Sequence, residues 1–331
     1  MLALTFTAVN EMKVSTVPDP APSPGEARVR LRAAALNHRD LWIKLGQYAG
    51  LKWPCIPGSD GAGVVDAVGE GVDAAWVGRE VIINPALAWG DNEHAQDPAT
   101  FSILGLPRDG TLAEAVTVPA TQLAAKPAHL GWTEAAALPL AGLTAWRALM
   151  CRAQLRAGER VLVSGIGGGV AQFALQFAVA HGAEVWVTSS STAKITRAVA
   201  QGAKGGFDYT QDGWAKRAAT ETGGFDVIID GAGGPGVDAL IDAAAPGARL
   251  VFYGATCGNV PEVALRKIFW RQLSVLGSTM GSPADWTAML AFVAQHHFKP
   301  VVSDVFPLAA AADAFALMAR GGQCGKIVLT M

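Results

Sequence analysis

The chain has 331 residues, of which 51% are hydrophobic and 16% are charged. This composition excludes a disordered or fibrous protein, because such chains carry more charge or a strict repeat. With 26 basic and 28 acidic residues, the net charge is -2 and no basic stretch stands out, so we expect no nucleic acid partner.

Membrane insertion and secretion are also not expected. No window reaches the roughly 18 consecutive apolar residues of a spanning helix. The first residues alternate like a strand and lack the basic start and apolar run of a signal peptide, so we expect a cytoplasmic protein. The four cysteines lie far apart, without the short pairings of a zinc knuckle or a disulfide scaffold, and are predicted to be free thiols.

The first part of the chain, to about residue 125, alternates short strand patterns with Pro- and Gly-rich turns. This arrangement predicts a β-rich domain. The clearest strand candidates are Ala27 to Ala34, Gly63 to Val68, Glu80 to Asn84 and Leu112 to Val118.

From Trp132 the pattern changes to a helical stretch, Thr133 to Met150, followed by strands that alternate with helices. Such alternation predicts a doubly wound parallel sheet. Its strand candidates lie near residues 160–165, 183–188, 225–230, 248–253 and 273–278. The last stretch, Lys299 to Met331, has two strand candidates around an alanine-rich helix and is too short for a domain, so it must complete one of the others.

A glycine-rich turn joins the strand that begins at Arg160 to an amphipathic helix. Gly165, Gly167 and Gly168 permit a tight turn and the close approach of a pyrophosphate, which the free N–H groups of the helix N-terminus favour; Ala171 takes the third small position. An ordinary tight turn is the alternative. The flanking strand and helix favour the first βα unit of a nucleotide-binding fold.

The residues after the next strand predict which cofactor is bound. NAD-preferring sites carry an acidic residue there, which bonds the ribose hydroxyl. This chain instead has hydroxyls and a cation, in the segment Thr188 to Lys194. We therefore expect NADP(H), with the 2'-phosphate near Ser189, Ser190, Lys194 and Tyr209. A polar helix N-cap with a solvated lysine is the alternative.

In these features the chain resembles the medium-chain dehydrogenase/reductases, and within them the zinc-free quinone oxidoreductase branch that includes zeta-crystallin. The resemblance covers essentially the whole chain. Besides the glycine-rich turn, it rests on the segments Ala35–Asp40, Pro57–Val64, Pro139–Ala145, Tyr253–Thr256, Leu276–Met280 and Gly325–Leu329. It implies an α/β protein in which a Rossmann NADP(H)-binding domain, residues 126–298, is inserted into a β-rich GroES-like catalytic domain, residues 1–125 plus 299–331.

The resemblance also implies the site residues. Asn37, Asp40 and Tyr48 match polar positions of the quinone oxidoreductase active site, and Trp42 matches an aromatic one. Tyr48 would donate a hydrogen bond to the substrate oxygen. A structural role for Asp40 and simple cleft packing for Trp42 are alternatives. Apart from the four residues near the 2'-phosphate, the implied cofactor-binding set is Thr144, Gly165, Gly167, Gly168, Gly169, Val170, Gly231, Gly254, Ser278 and Lys326.

Zinc-dependent members of the family hold their metal with Cys, His and Cys. The matching positions here are Asn37, Ser59 and Leu140, and a leucine cannot ligate zinc. The segment that matches their structural zinc lobe, Trp89–Asp97, has no cysteine. Arg39 stands where the zinc enzymes begin their proton relay. Two histidines lack partners at a credible spacing: His38 and His94. We therefore expect no metal.

Without a Lewis acid, substrates that accept hydride readily are favoured, because their negative charge spreads over a π-system. The leading prediction is a zinc-independent oxidoreductase that transfers hydride from NADPH to quinones or α,β-unsaturated carbonyls. The alternatives are an alcohol/aldehyde dehydrogenase of the same superfamily and a catalytically idle NADPH-binding structural protein. The resemblance also implies a homodimer, in which the apolar segment Leu273 to Met280 pairs edge to edge.

Overall fold

The computed structural model describes all 331 residues, which form two compact units. The first unit comprises Met1–Ala141 and Ser282–Met331, and the second comprises Gly142–Gly281. None of the helices combines the length and apolar character needed to cross a membrane. All four cysteines are free thiols, as expected; Cys55 and Cys324 are buried, whereas Cys151 and Cys257 are exposed.

The N-terminal part of the first unit is mostly strands. Its elements are β1 (Leu2–Ala8), β2 (Glu11–Thr16), β3 (Glu26–Ala35), α1 (His38–Lys44), β4 (Asp60–Val68), β5 (Glu80–Ile83), β6 (Ala86–Leu87), β7 (Ser102–Ile103), β8 (Ala115–Pro119), β9 (Leu123–Ala125) and α2 (Trp132–Ala137). Alternate residues of β3 face the core, which is why a period of two was visible in the sequence. The strand predictions in this part of the chain are confirmed to within a few residues.

The next part of the chain alternates strands and helices. Its elements are α3 (Pro139–Trp146), which continues as one π-helical segment (Arg147–Arg152), β10 (Arg160–Val163), α4 (Gly169–Ala180), β11 (Glu184–Thr188), α5 (Thr192–Ala200), β12 (Gly205–Phe207), α6 (Trp214–Thr222), β13 (Phe225–Asp230), α7 (Val237–Ala243), β14 (Ala244–Phe252), α8 (Leu265–Trp270) and β15 (Ser274–Gly277). The chain ends with α9 (Pro283–His296), β16 (Val302–Pro307), α10 (Ala311–Ala319) and β17 (Lys326–Thr330).

The sheet of the first unit contains strands from both ends of the chain. Its order is β16-β17-β3-β4-β5-β9, and β8 also pairs with β3. β17 pairs antiparallel with β3, and Leu329 lies opposite Ala34 in that register. One core of this unit is packed around Phe6 and Phe315, whose rings meet edge to face at 5.6 Å. The C-terminal strands therefore complete the N-terminal sheet.

The second unit has one six-stranded parallel sheet in the order β12-β11-β10-β13-β14-β15. This is the 3-2-1-4-5-6 order of the dinucleotide-binding fold. Buried apolar side chains of the strands, such as Leu162, Ile228 and Leu250, form its core with Phe225. The fold class predicted from the sequence, a Rossmann domain inserted into a β-rich GroES-like domain, is confirmed.

The boundaries between the units differ from the proposed residues 126 and 298. Helices α2 and α9 belong to the first unit. The three C-terminal residues of α2, Ala135 to Ala137, are fully buried, and the helix packs against β3, β4 and β17. The helical period beginning at Trp132 therefore marks a helix of the GroES-like unit, and the sequence pattern alone does not tell which sheet such a helix covers.

Candidate functional site

The start of α1 is fixed by the carboxylate of Asp40. Its Oδ2 accepts a hydrogen bond from the Asn37 backbone N–H at 2.8 Å, the return bond of a capping box, and its Oδ1 accepts one from the Gly58 N–H at 3.2 Å. Asp40 is completely buried, and this burial raises its pKa. Both oxygens thus hold α1 against the loop before β4, which is the structural role considered as the alternative for Asp40.

A buried ion pair lies beside the start of α1. The Lys326 ammonium donates to the Leu36 carbonyl at 2.8 Å, to Asn37 Oδ1 at 2.6 Å and to Asp60 Oδ2 at 2.8 Å. Asn37 Nδ2 donates to the same Asp60 oxygen at 2.9 Å, and the Leu140 N–H donates to Asp60 Oδ1 at 2.7 Å. All three ammonium N–H groups have acceptors inside the first unit. Sequence reasoning placed Lys326 at the cofactor and did not identify Asp60.

Arg39 forms a second buried cationic contact. Its Nη1 donates to Ser59 Oγ at 2.7 Å and to the Leu104 carbonyl at 2.9 Å, and its Nε donates to Tyr48 Oη at 3.3 Å. The guanidinium carbon lies 4.9 Å from the centroid of the Tyr48 ring. Tyr48 and Trp42 are both half-buried, and Trp42 meets the ring of His38 edge to face at 4.9 Å. Desolvation lowers the pKa of His38.

The donor set at the zinc-ligand positions does not fit a zinc ion. The Asn37 amide oxygen accepts from Lys326, the Ser59 hydroxyl accepts from Arg39, and Leu140 has an apolar side chain. Two cations therefore contact the very residues that would have to face a divalent cation, and like charges repel at this range. No cluster of three or more His, Cys, Asp or Glu side chains suited to a metal occurs in the 331 residues.

The glycine-rich turn lies between β10 and α4. Gly165 has φ of 61°, a left-handed conformation that favours glycine, and its N–H donates to Thr188 Oγ1 at 3.1 Å. The N-cap of α4 is Gly168, so the first backbone N–H groups of the helix, from Gly169 and Val170 onward, have no intrahelical acceptor. A turn and helix start of this kind fit a pyrophosphate.

The residues predicted around the 2'-phosphate lie at the carboxyl ends of two neighbouring strands. The N–H of Ser189 donates to the Phe207 carbonyl at 3.2 Å, which places the chain after β11 beside the chain after β12. Ser189 is buried and its Oγ accepts from the Ser191 N–H, Ser190 is exposed, and Tyr209 is half exposed. Lys194 lies in the first turn of α5.

Sequence reasoning missed Asp208, which directly precedes Tyr209 at this edge. Hydrogen bonds from the Thr210 hydroxyl and backbone N–H hold the pKa of Asp208 below its usual range, so it is a carboxylate at neutral pH. The usual rule examines the end of the second strand, where this chain has Ser189, whereas Asp208 follows the third.

The remaining members of the implied cofactor set also lie in the second unit, except Lys326. Gly231, Gly254 and Ser278 come shortly after β13, β14 and β15, at the carboxyl edge where dinucleotides bind in such sheets. A Cβ on Gly231 would lie 2.4 Å from the ring of Tyr253, so glycine is required by this close approach. Thr144 is buried, with its Oγ1 4.0 Å from the Met280 sulfur.

Comparison with known proteins places these units in a family. Residues 23–128 match the model of the alcohol dehydrogenase GroES-like domain, and residues 169–295 match that of the zinc-binding dehydrogenases. The zinc-type alcohol dehydrogenase-like protein YogA of Leptosphaeria maculans is 35% identical, over 96% of this chain and 94% of that protein. The quinone oxidoreductase of Rattus norvegicus is 29% identical, over 96% of this chain and 92% of that protein.

A solved structure of an NAD-dependent alcohol dehydrogenase is 41% identical, with a TM-score of 0.94 and full coverage of both chains. The match covers the GroES-like unit and the Rossmann unit alike. The chain is therefore an oxidoreductase of the medium-chain dehydrogenase/reductase superfamily.

Proposed function

We propose that the chain is a zinc-independent oxidoreductase that reduces quinones or α,β-unsaturated carbonyls with NADPH. The observation that supports this proposal most directly is that two cationic side chains are bonded to residues at the zinc-ligand positions. Lys326 is bonded to Asn37, and Arg39 is bonded to Ser59. A reductase without a Lewis acid needs a substrate that spreads the negative charge itself, as quinones and conjugated enones do.

The Rossmann unit would hold the cofactor, which supplies a hydride when bound. The turn around Gly165 and the start of α4 suit the pyrophosphate. Ser189, Ser190, Lys194 and Tyr209 would surround the 2'-phosphate, and the lysine gives that phosphate a charge-assisted partner. The carboxylate of Asp208 would instead repel the 2'-phosphate, and one solved relative is an NAD-dependent enzyme, so the preference for NADPH over NADH needs a measurement of its own.

The substrate would lie in the first unit beside Asn37, Trp42 and Tyr48. Tyr48 and Trp42 are half-buried, so each presents part of its surface to solvent, and Tyr48 has a hydroxyl that can donate to a substrate oxygen. Asp40 and Lys326 would keep Asn37 in place through the bonds described above. The rat relative that is named a quinone oxidoreductase supports this class of substrate.

The deciding experiment measures NADPH oxidation against a panel of quinones and enones in the presence of a chelator. We expect turnover that the chelator does not reduce, and a metal content well below one zinc per chain. Stoichiometric zinc that is lost together with activity on chelation would instead support an alcohol dehydrogenase, the class named for YogA and for the solved relative. Tight NADPH binding without oxidation by any acceptor would support an idle structural protein.

A further inference from the structure

Arg39 has hydrogen-bonding capacity that the protein does not use. Its side chain is only 6% exposed, it belongs to no ion pair, and Nη2 is buried without a hydrogen-bond partner. A guanidinium has five N–H groups. Three of them are directed to Tyr48, Ser59 and Leu104, which leaves both N–H groups of Nη2 unmatched. A buried donor without an acceptor is rare in native proteins and requires an explanation.

The charges around Arg39 are not balanced by a direct partner. Asp60 is paired with Lys326 at 2.8 Å. Asp40 accepts backbone N–H bonds with both of its oxygens and makes no hydrogen bond or ion pair with Arg39. An oxygen acceptor beside Nη2 would therefore be favoured, because a buried donor without a hydrogen-bond partner is costly.

The geometry of the guanidinium defines what kind of anion fits. Nε and Nη2 share one edge of the planar group, the edge that commonly binds both oxygens of a carboxylate. Here Nε already donates to the Tyr48 hydroxyl, so Nη2 is the nitrogen of this edge that lacks a partner, and a single oxygen atom is the matching ligand. Because Tyr48 Oη accepts the Nε–H bond, its own hydrogen is free to donate to an oxygen on the same edge.

We propose that Arg39 Nη2 and the Tyr48 hydroxyl together bind the substrate oxygen that becomes negative during reduction. The inference rests on the proposed function and names a group for its transition state. Hydride addition to the β-carbon of an enone moves the C=C pair into the adjacent bond and the carbonyl pair onto oxygen. The resulting enolate takes a proton from solvent at its α-carbon and restores the carbonyl. Two donors at the oxygen stabilise that enolate more than the neutral carbonyl.

A direct test uses 4-nitrophenol, whose ionised form has its own visible absorbance and resembles the negative oxygen. We expect the wild-type protein, with NADP⁺ present, to bind the phenolate in preference to the phenol, so that the pKa of the bound probe falls. Arg39→Gln should weaken phenolate binding by about a hundredfold, the effect of removing one oxyanion donor, and Arg39→Lys should recover part of it. Arg28→Gln removes a half-buried arginine paired with Asp66 and should leave the titration unchanged.

The activity of the same variants provides the second measurement. Arg39→Gln and Tyr48→Phe should each lower kcat by about a hundredfold with little change in KM, because the bond is strongest in the transition state. Wild-type protein that binds only neutral nitrophenol, or no nitrophenol, would overturn the inference without any variant having to fold. So would a folded Arg39→Gln protein with wild-type probe binding and turnover. Arg39-dependent phenolate binding without NADPH oxidation would support the oxyanion site and refute the proposed reductase.

Discussion

Single buried residues determine what the first unit can hold. The side chains of Lys326 and Asp60 are only 4% and 0% exposed. Water therefore does not stabilise either charge, and each is stabilised by the other. A buried pair of this kind adds little net stability, but removing one partner leaves the other charge buried without a counterion. The pair also occupies Asn37, one of the positions at which the zinc enzymes carry a ligand.

Replacing Lys326 should therefore be costly. Lys326→Met leaves the Asp60 carboxylate with only the Asn37 amide and the Leu140 N–H, and we expect the free energy of unfolding to fall by about 3 to 5 kcal/mol in urea titrations. The double variant with Asp60→Asn removes both charges and should recover part of the loss. A single variant as stable as the wild type would show that the pair is not buried in solution.

Lys194 offers a residue-scale test of cofactor preference. A charge-assisted hydrogen bond contributes about 1.5 to 3 kcal/mol, so Lys194→Ala should weaken NADPH binding roughly tenfold or more and leave NADH binding nearly unchanged. Ser189→Asp should reverse the preference, because its carboxylate would repel the 2'-phosphate. Fluorescence titration with both nucleotides measures this, and the exposed Lys216→Ala is the control. Equal loss for both nucleotides would mean that Ser189 and its neighbours act only as a helix cap.

Asp40 gives a pH dependence with a defined sign. Burial raises its pKa in the folded protein, so the folded state holds this proton at pH values where the unfolded chain has released it. The contribution of Asp40 to stability must then decrease as the pH rises from about 4 through the folded-state pKa. In urea titrations over pH 4 to 8, the wild type should lose stability relative to Asp40→Asn as the pH rises. A difference that moves the opposite way would contradict the raised pKa.

At the scale of elements, the sequence predicted where the strands lie better than it predicted which elements pack against each other. β3, β10, β11 and β13 to β15 were evident from their period or from apolar runs between turns. The short strand β12, Gly205–Phe207, was not among the strand candidates, because two of its three residues are glycines. The neighbours of α2 were not, because a short alanine-rich helix packs on any apolar sheet, and its burial depends on β17 from the far end of the chain. Arg39 and Lys326 were visible as residues, but their contacts with Tyr48 and Asp60 depend on tertiary packing that no local pattern encodes.

The junction after β13 and β14 is tightly packed, and this can be tested. Gly231→Ala would bring a Cβ to within 2.4 Å of the Tyr253 ring, so we expect a loss of about 1 to 3 kcal/mol in stability and weaker nucleotide binding as the ring shifts. Gly236→Ala is the matched control, because nothing lies within 4 Å of its Cβ position. Thermal unfolding with and without NADPH distinguishes the two effects. Equal behaviour of both variants would refute the packing argument.

At the scale of the whole molecule, the second unit leaves one apolar edge without a partner. β15 is the last strand of the parallel sheet and pairs only with β14. Its Val275 is 51% exposed, and the preceding helix α8 exposes Phe269 and Trp270 by 61% and 80%. Such apolar surface around an open strand edge is typical of an interface between chains. It supports the expected homodimer, with a second copy of the chain on this edge.

The dimer can be tested by changing that edge alone. A lysine on an edge strand opposes pairing with another strand, so Val275→Lys should convert a dimer into monomers in sedimentation velocity experiments, and Trp270→Asp should do the same by removing the largest exposed apolar side chain. The control is Val199→Lys. This side chain is 45% exposed and lies on α5, far from β15 in the sequence, so its replacement should leave the dimer intact. Because each Rossmann sheet is complete within its own chain, the monomers should retain NADPH binding. Monomeric wild-type protein, or variants that stay dimeric, would place the interface elsewhere or exclude it.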